Sequence, residues 1–322
     1  MRLRNVGSSG LKVSDFGLGT MTWGLETDAD DAGAQLTAFR DAGGTLVDTA
    51  VSYGYGRAEL ILGELIAHVV PRDELVIATK AGFLRTANGV IVDASRRELL
   101  RRLDQSLTRM GIDHVDLWYV HTVDDSVPFE ETLGALDAAV ASGKARYAGV
   151  SNYCGWRTAR AATWQRAVAG RAPIVANQVR YSLLDRGVER EVIPACAALG
   201  IGVLPYSPLS GGALTGKYRD GIPADSRAAS TGYNVGDLDD ERNLGIVAAV
   251  ATAADGLATS PTAVALSWVR DRPGVTAPIL GARTLGQLTA ALATEALDLP
   301  EEISAALDDV SAPDIAYPEA NR

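Results

Sequence analysis

Cysteine, histidine, methionine and phenylalanine are all scarce in this chain: two, three, three and four residues among 322. Two cysteines, Cys154 and Cys196, cannot build the framework of a disulfide-stapled secreted fold. They are expected as reduced, partly buried thiols. The histidines stand at 68, 114 and 121, and no Cys/His cluster has metal-ligand spacing, so no metal is expected. Long hydrophobic runs are missing as well. No stretch reaches membrane-spanning length without a charge or a Gly/Pro break. The opening Met1-Arg2-Leu3-Arg4-Asn5-Val6-Gly7 lacks the apolar core of a signal peptide. A cytoplasmic protein with no membrane partner is the expectation. Positive charge is in deficit: 30 Lys and Arg against 40 Asp and Glu leave −10. That balance repels a phosphate backbone and argues against a nucleic-acid partner.

Two nucleotide-binding signatures are also absent. Gly17-Leu18-Gly19 is followed by Thr22 where a dinucleotide fingerprint needs its third glycine. Gly211-Gly212-Ala213-Leu214-Thr215-Gly216-Lys217 fits G-x-x-x-x-G-K, but Tyr218 replaces the Ser or Thr that would ligand Mg²⁺. The segment still offers backbone N–H groups and a lysine to a phosphate.

What is present is a repeated alternation. Apolar, β-branched runs read as strands at Asp15–Thr20, Thr45–Thr49, Leu75–Lys80, Val115–His121, Ala145–Ser151, Ile174–Gln178, Gly202–Tyr206 and Ala277–Gly281. Helical stretches fall between them, at Ala32–Ala42, Arg57–His68, Ser95–Met110, Phe129–Ser142, Gly155–Ala169, Val188–Leu199 and Ser260–Arg270, with Leu285–Glu295 and Pro300–Val310 closing the chain. Ser95 with Glu98 reads as a capping box, Gly111 as a stop and Ser260-Pro261 as a start. Eight β-then-α units without a composition break predict an α/β chain folded as a (β/α)8 TIM barrel, one domain over residues 1–322. A doubly wound sheet is the alternative, with fewer units. Arg4 to Val13 reads as a β-hairpin that closes the barrel floor. Arg219–Arg242, rich in Gly, Ser, Asp and Pro, reads as a long loop.

Barrel sites lie at the C-terminal strand ends. There the second, third and fourth strands each deliver an ionisable residue after an apolar run: Asp48, Lys80 and His121. Taken singly, each is explained as a charge meeting solvent. Three on consecutive strands converge on one mouth. Tyr53 follows Asp48 in a glycine-rich turn. A phenol near an ammonium has its pKa lowered and can serve as a general acid. Asp48 would fix Lys80, and His121 would orient a carbonyl oxygen. Trp23, Tyr55 and Phe83 follow strand ends and are candidates for an apolar substrate wall.

These runs resemble the aldo-keto reductase superfamily. Val47-Asp48-Thr49-Ala50-Val51-Ser52-Tyr53-Gly54, Ala78-Thr79-Lys80, Asp116 to His121, Gly149-Val150-Ser151-Asn152 and Tyr206-Ser207-Pro208-Leu209 carry the likeness. The resemblance implies a catalytic tetrad of Asp48, Tyr53, Lys80 and His121, with Tyr53 as proton donor. It implies NADPH/NADP+ held by Gly19, Thr20, Met21 and Asp48. Ser151, Asn152 and Gln178 would take the carboxamide, and Tyr206 would stack on the nicotinamide. Ser207, Pro208, Leu209, Ser210, Gly212 and Lys217 would line the pyrophosphate. Gly221 to Arg227 is similar to the branch containing potassium-channel β-subunits, where Arg227 would approach the cofactor. Gly281, Arg283, Thr284 and Gln287 match the adenosine-phosphate segment, with Arg283 facing the 2′-phosphate that only NADPH carries. The chain departs from the family at Ala290 and Ala291, where adenine-contacting residues are usual.

The leading expectation is NADPH-dependent reduction of a small-molecule aldehyde or ketone. The alternative is a cofactor-bound regulatory protein of the channel β-subunit type; the complete tetrad favours catalysis. A Schiff-base aldolase through Lys80 needs an uncharged amine, which Asp48 opposes. Substrate identity and oligomeric state stay open at this stage.

Overall fold

A computed structural model describes residues 1–86, 89–218 and 240–314, and the isolated positions 221, 223, 229 and 317. The chain opens with an antiparallel pair, β1 (Leu3–Asn5) and β2 (Lys12–Ser14). Eight parallel strands follow: β3 (Gly17–Gly19), β4 (Leu46–Asp48), β5 (Val76–Ala81), β8 (Val115–Val120), β9 (Ala145–Ser151), β10 (Ile174–Arg180), β11 (Gly202–Tyr206) and β12 (Ile279–Gly281). They hydrogen-bond in the order β11-β10-β9-β8-β5-β4-β3-β12. The two ends meet through a parallel bridge between Val203 and Val275, where Thr276 N–H donates to the Val203 carbonyl at 2.8 Å. The sheet is therefore a nearly closed (β/α)8 barrel, as the eight repeats imply.

The period of two along each strand sorts the core into two layers. Leu46, Ala78, Leu117, Tyr119, Ala176 and Leu204 point inward and pack with Ala277 and Ile279. Val47, Ile77, Trp118, Val120 and Val150 point outward, under helix residues such as Leu36, Leu62, Leu103 and Leu136. Each such buried aliphatic contributes roughly 1.5–3 kcal/mol. Val6, Leu11 and Val13 of the opening hairpin join the inner layer and close the floor. Gly7 makes this plug possible. It sits at φ +57°, and a Cβ there would lie 2.2 Å from the Gly200 carbonyl oxygen.

The helices form where the caps indicate. Ser95 accepts from the Glu98 N–H at the start of Arg96–Met110, Gly111 stops that helix at φ +65°, and Ser260 accepts from Ala263 N–H before Pro261–Arg270. Three local readings change. The helix expected over Val188–Leu199 is broken into a 3₁₀ turn, Gly187–Glu189, and a shorter helix, Val192–Ala198. Pro194 supplies the reason, because it has no N–H to continue the ladder from the preceding turn. Most of the expected loop Arg219–Arg242 lies outside the described residues; at its end the Asp240 carboxylate caps an unexpected Ala-rich helix, Glu241–Gly256. A small antiparallel hairpin, β6 (Phe83–Thr86) and β7 (Gly89–Val92), rises from the end of β5. Both cysteines are free thiols, and burial pushes that of Cys196 up to about 12.

Candidate active site

Strand alternation brings the polar residues together at the barrel mouth. Asp48 follows inward-facing Leu46 by two, Lys80 follows Ala78, His121 follows Tyr119, and Gln178 follows Ala176. All four therefore crown the inner layer at the C-terminal ends of their strands.

Lys80 is fully buried, and its Nζ donates to Asp48 Oδ2 at 2.5 Å, the Thr49 carbonyl at 2.8 Å and the Tyr53 hydroxyl oxygen at 3.3 Å. The other Asp48 oxygen accepts from Gln178 Nε2 at 2.7 Å. Burial pushes the Lys80 amine down, but Asp48 and Tyr53 beside it outweigh that and raise it above its ordinary value. Lys80 is an ammonium. For Tyr53 the balance runs the other way from the sequence expectation. The ammonium does pull its pKa down, yet burial raises it more, with Asp48 adding, and the net direction is up. Proximity to Lys80 alone was readable from the motif; desolvation was not. The phenol keeps its proton, and because Lys80 donates to its oxygen, the O–H is left to point elsewhere.

The His121 ring stands edge-on to Tyr53, with centroids 6.1 Å apart, and tilts against Phe83 at 5.2 Å. Burial, then the charges of Lys80 and Arg85, lower its pKa to about 3, so the imidazole is neutral. Its backbone is held at both sides: its N–H donates to the Ala81 carbonyl at 2.8 Å, and its carbonyl accepts from Asn152 Nδ2 at 3.0 Å. Below lies Tyr119, the register partner of Lys80 and Gly149. Burial pushes its phenol well above the usual range.

The turn bearing Tyr53 is braced from outside the barrel. Thr79 faces outward, between Ala78 and Lys80, and its hydroxyl donates to Glu59 Oε1 at 2.8 Å. Glu59 Oε2 accepts from Arg109 Nη1 at 3.0 Å, and the carboxylate is fully buried. The guanidinium lies against Gly56, where a Cβ would come within 2.7 Å of Arg109 Cζ. Glu59 and Arg109 had no place in the sequence reading, since their contact crosses 50 residues of chain. The Glu59 position within an otherwise apolar helix face was the only local signal.

Around the mouth, Ser151 Oγ donates to the Gln178 carbonyl at 2.9 Å, and the Tyr206 hydroxyl donates to Asn152 Oδ1 at 3.0 Å. Asn152, Ser207 and Ser210 all hold positive φ, at 60°, 53° and 47°. Such strain in non-glycine residues clusters at ligand sites. Pro208 is buried and Leu209 packs on the core. Ser210–Thr215 is a 3₁₀ turn carrying Gly212, over which the Lys217 stem folds; it is not a phosphate loop opening a helix. Gly19 lies in the sheet between Asp48 and Gly281, and Met21 is exposed. The Thr20 side chain is buried and donates to the Asp48 carbonyl at 3.2 Å, so it supports the strand end instead of facing a ligand. At β12, the Thr22 and Thr27 hydroxyls donate to the carbonyls of Ala282 and Arg283. Thr284 caps helix Leu285–Leu292, Gln287 Oε1 accepts from the Arg283 N–H, and Arg283 lies 3.8 Å from Glu26. Arg227 lies outside the described residues.

The substrate-wall residues divide. Phe83 is at the site, against His121. Tyr55, at 63% exposure, stands in solvent at the rim. Trp23 is a correction: it is fully buried, and its indole N–H donates to Gln35 Oε1 at 3.1 Å. Helix Ala29–Asp41 covers it, so it is core and not wall.

The mouth thus couples a protonated phenol, an ammonium and a neutral imidazole within a few ångströms, the arrangement of a barrel enzyme that moves a proton at its C-terminal rim. The chain belongs to the aldo/keto reductase family, whose sequence model matches residues 15–312. Relatives include L-glyceraldehyde 3-phosphate reductase of Escherichia coli (strain K12), 37% identical over 89% of this chain and 86% of that protein. The uncharacterized oxidoreductase YrpG of Bacillus subtilis (strain 168) is 34% identical over 96% of both. A probable voltage-gated potassium channel subunit beta of Oryza sativa subsp. japonica is 36% identical over 89% of both. The chain is an oxidoreductase of the carbonyl-reducing kind, and its family uses nicotinamide cofactors.

Proposed function

We propose that this protein reduces an aldehyde or ketone to the alcohol with NADPH, Tyr53 giving the proton. One observation carries the reading: a single buried ammonium, Lys80, bonded to both Asp48 and the Tyr53 oxygen, beside a neutral His121.

A reduced nicotinamide supplies the hydride when bound. The residues fit such a group. Gln178 gives one amide N–H to Asp48, and its Oε1 can accept from a carboxamide. Ser151 and Asn152 flank it, and Tyr206 offers a ring. Gly281 and Gly286 have nothing within 4 Å of where a Cβ would stand, which leaves room for an adenosine phosphate at the helix that begins at Leu285. Lys217 and Arg283 supply positive charge for phosphates, with Arg283 the basis for preferring NADPH.

In the reaction, Tyr53 and His121 hydrogen-bond the carbonyl oxygen and fix its orientation. As hydride reaches the carbon, the oxygen gains charge and Tyr53 transfers its proton to it. The phenolate left behind is stabilised by the Lys80 ammonium and regains a proton from solvent. Asp48 keeps Lys80 charged, which disfavours a Schiff-base role.

The test is NADPH consumption with 4-nitrobenzaldehyde, followed by the absorbance of the reduced nicotinamide. Turnover in the wild type, and its loss by roughly 10²–10⁴-fold in Tyr53→Phe with NADPH still bound, is the expected pattern. A folded, NADPH-binding sample inert on a broad carbonyl panel favours a regulatory role of the channel-subunit kind instead.

A further inference from the structure

The hairpin β6–β7 begins three residues after Lys80 and rises beside the mouth. In a strand, residues two apart share a face. Phe83 and Arg85 are such a pair, with Leu84 on the other side. The shared face is turned toward the reacting groups, because the Phe83 ring lies 5.2 Å from that of His121. The Arg85 charge is also felt at His121, after burial and Lys80. Across the hairpin Arg85 is in register with Val90, not with an acid. It is exposed, and no ion pair to it is found among the described residues. The two charges among the reacting groups, Lys80 and Asp48, pair with each other. Arg85 therefore adds a positive charge beside the reacting groups, on a protein whose net charge is −10.

We propose that Arg85 is a specificity residue and that the carbonyl substrate carries an anionic group, a phosphate or a carboxylate, a few bonds from the reacting carbon. The carbonyl oxygen sits at Tyr53 and His121, the short carbon chain passes Phe83, and the anion meets the guanidinium. A guanidinium offers a planar, two-pronged donor that suits either anion. An unbranched neutral aldehyde has nothing to give it. The inference rests on the reductase reading above and adds the substrate class.

The experiment is steady-state kinetics of the full chain with NADPH and four aldehydes: glyceraldehyde, glyceraldehyde 3-phosphate, succinic semialdehyde and 4-nitrobenzaldehyde. Wild type, Arg85→Gln and Arg85→Lys are compared. In the wild type, kcat/KM is expected to be higher for at least one anionic aldehyde than for glyceraldehyde. In Arg85→Gln the ratio of kcat/KM for that anion over glyceraldehyde falls roughly 10- to 100-fold, mainly through KM. Arg85→Lys retains part of it, and added salt shrinks it in the wild type. Whichever of the two anions shows the larger fall identifies the group as phosphate or carboxylate. Turnover of 4-nitrobenzaldehyde without any preference for charge overturns the role of Arg85 alone, as does an equal fall for charged and neutral aldehydes. No turnover of any of the four overturns the reductase reading and this inference with it.

Discussion

Gln178 Nε2 donates to Asp48 Oδ1 at 2.7 Å, joining opposite sides of the barrel mouth across 130 positions of chain. With Lys80 on Oδ2, both oxygens of the buried carboxylate are taken by side chains. Asp48→Asn removes the counter-charge of the buried Lys80 ammonium and leaves it only neutral acceptors: the amide oxygen, the Thr49 carbonyl and the Tyr53 oxygen. The expected loss of stability is on the order of 3–5 kcal/mol, read from urea unfolding. The Lys80 pKa falls as well, because burial then acts without its main opponent. An unchanged unfolding free energy would mean that the pair is not the one the geometry describes.

Acid behaviour follows from His121. Its folded pKa is about 3, against about 6.5 in an unfolded chain. Between those values the unfolded state holds a proton that the folded state refuses. Its share of stability is therefore complete above about pH 6.5 and is lost progressively as pH falls toward about 3. Urea unfolding between pH 4 and 8 should show the wild type losing more on acidification than His121→Gln. An imidazole that titrates near 6.5 by NMR in the folded protein would refute this.

The Glu59–Arg109 brace makes a separate claim. Arg109→Ala leaves a fully buried carboxylate without its cation and unties the turn that carries Tyr53. The expected result is a roughly 10-fold or greater fall in kcat with NADPH affinity retained, since a small misplacement of a reacting group is costly. Millimolar methylguanidine should restore part of the turnover, and Arg109→Lys should fall between. Stability lost with kcat intact would make the brace purely structural.

Cofactor choice can be weighed at Arg283. Its 3.8 Å approach to Glu26 competes with any 2′-phosphate. Arg283→Ala should weaken NADPH roughly 10-fold or more while NADH changes little, and Glu26→Gln should tighten NADPH. Fluorescence titration of both nucleotides measures this. Tighter binding of NADH than NADPH by the wild type would overturn the preference.

The barrel was legible because its signals are local. Parallel strands buried on both faces read as continuous apolar runs, and the second, third and fourth bring Asp48, Lys80 and His121 to the mouth at or beside their C-terminal ends. Ser95, Gly111 and Ser260 act within a turn of their own helix, so caps and stops also stood where composition put them. The breaks came where neighbours in space intervened. Trp23 follows a strand end like a wall residue, but helix Ala29–Asp41 and Gln35 enclose it. The Ala-rich helix Glu241–Gly256 has little contrast between its faces, and only its packing against Pro261–Arg270 reveals which side is buried.

Chain order and the period of apolar residues were enough to specify a closed parallel barrel and the four polar groups at its rim, because hydrogen-bond ladders, caps and side-chain alternation are short-range effects. Contacts between distant segments decided the rest: that Gln178 reaches Asp48, that Glu59 and Arg109 brace the Tyr53 turn, and that Phe83 packs on His121. It also decided that burial outweighs Lys80 in setting the Tyr53 proton. Desolvation and contacts between distant segments exist only once the strands have curved round to meet.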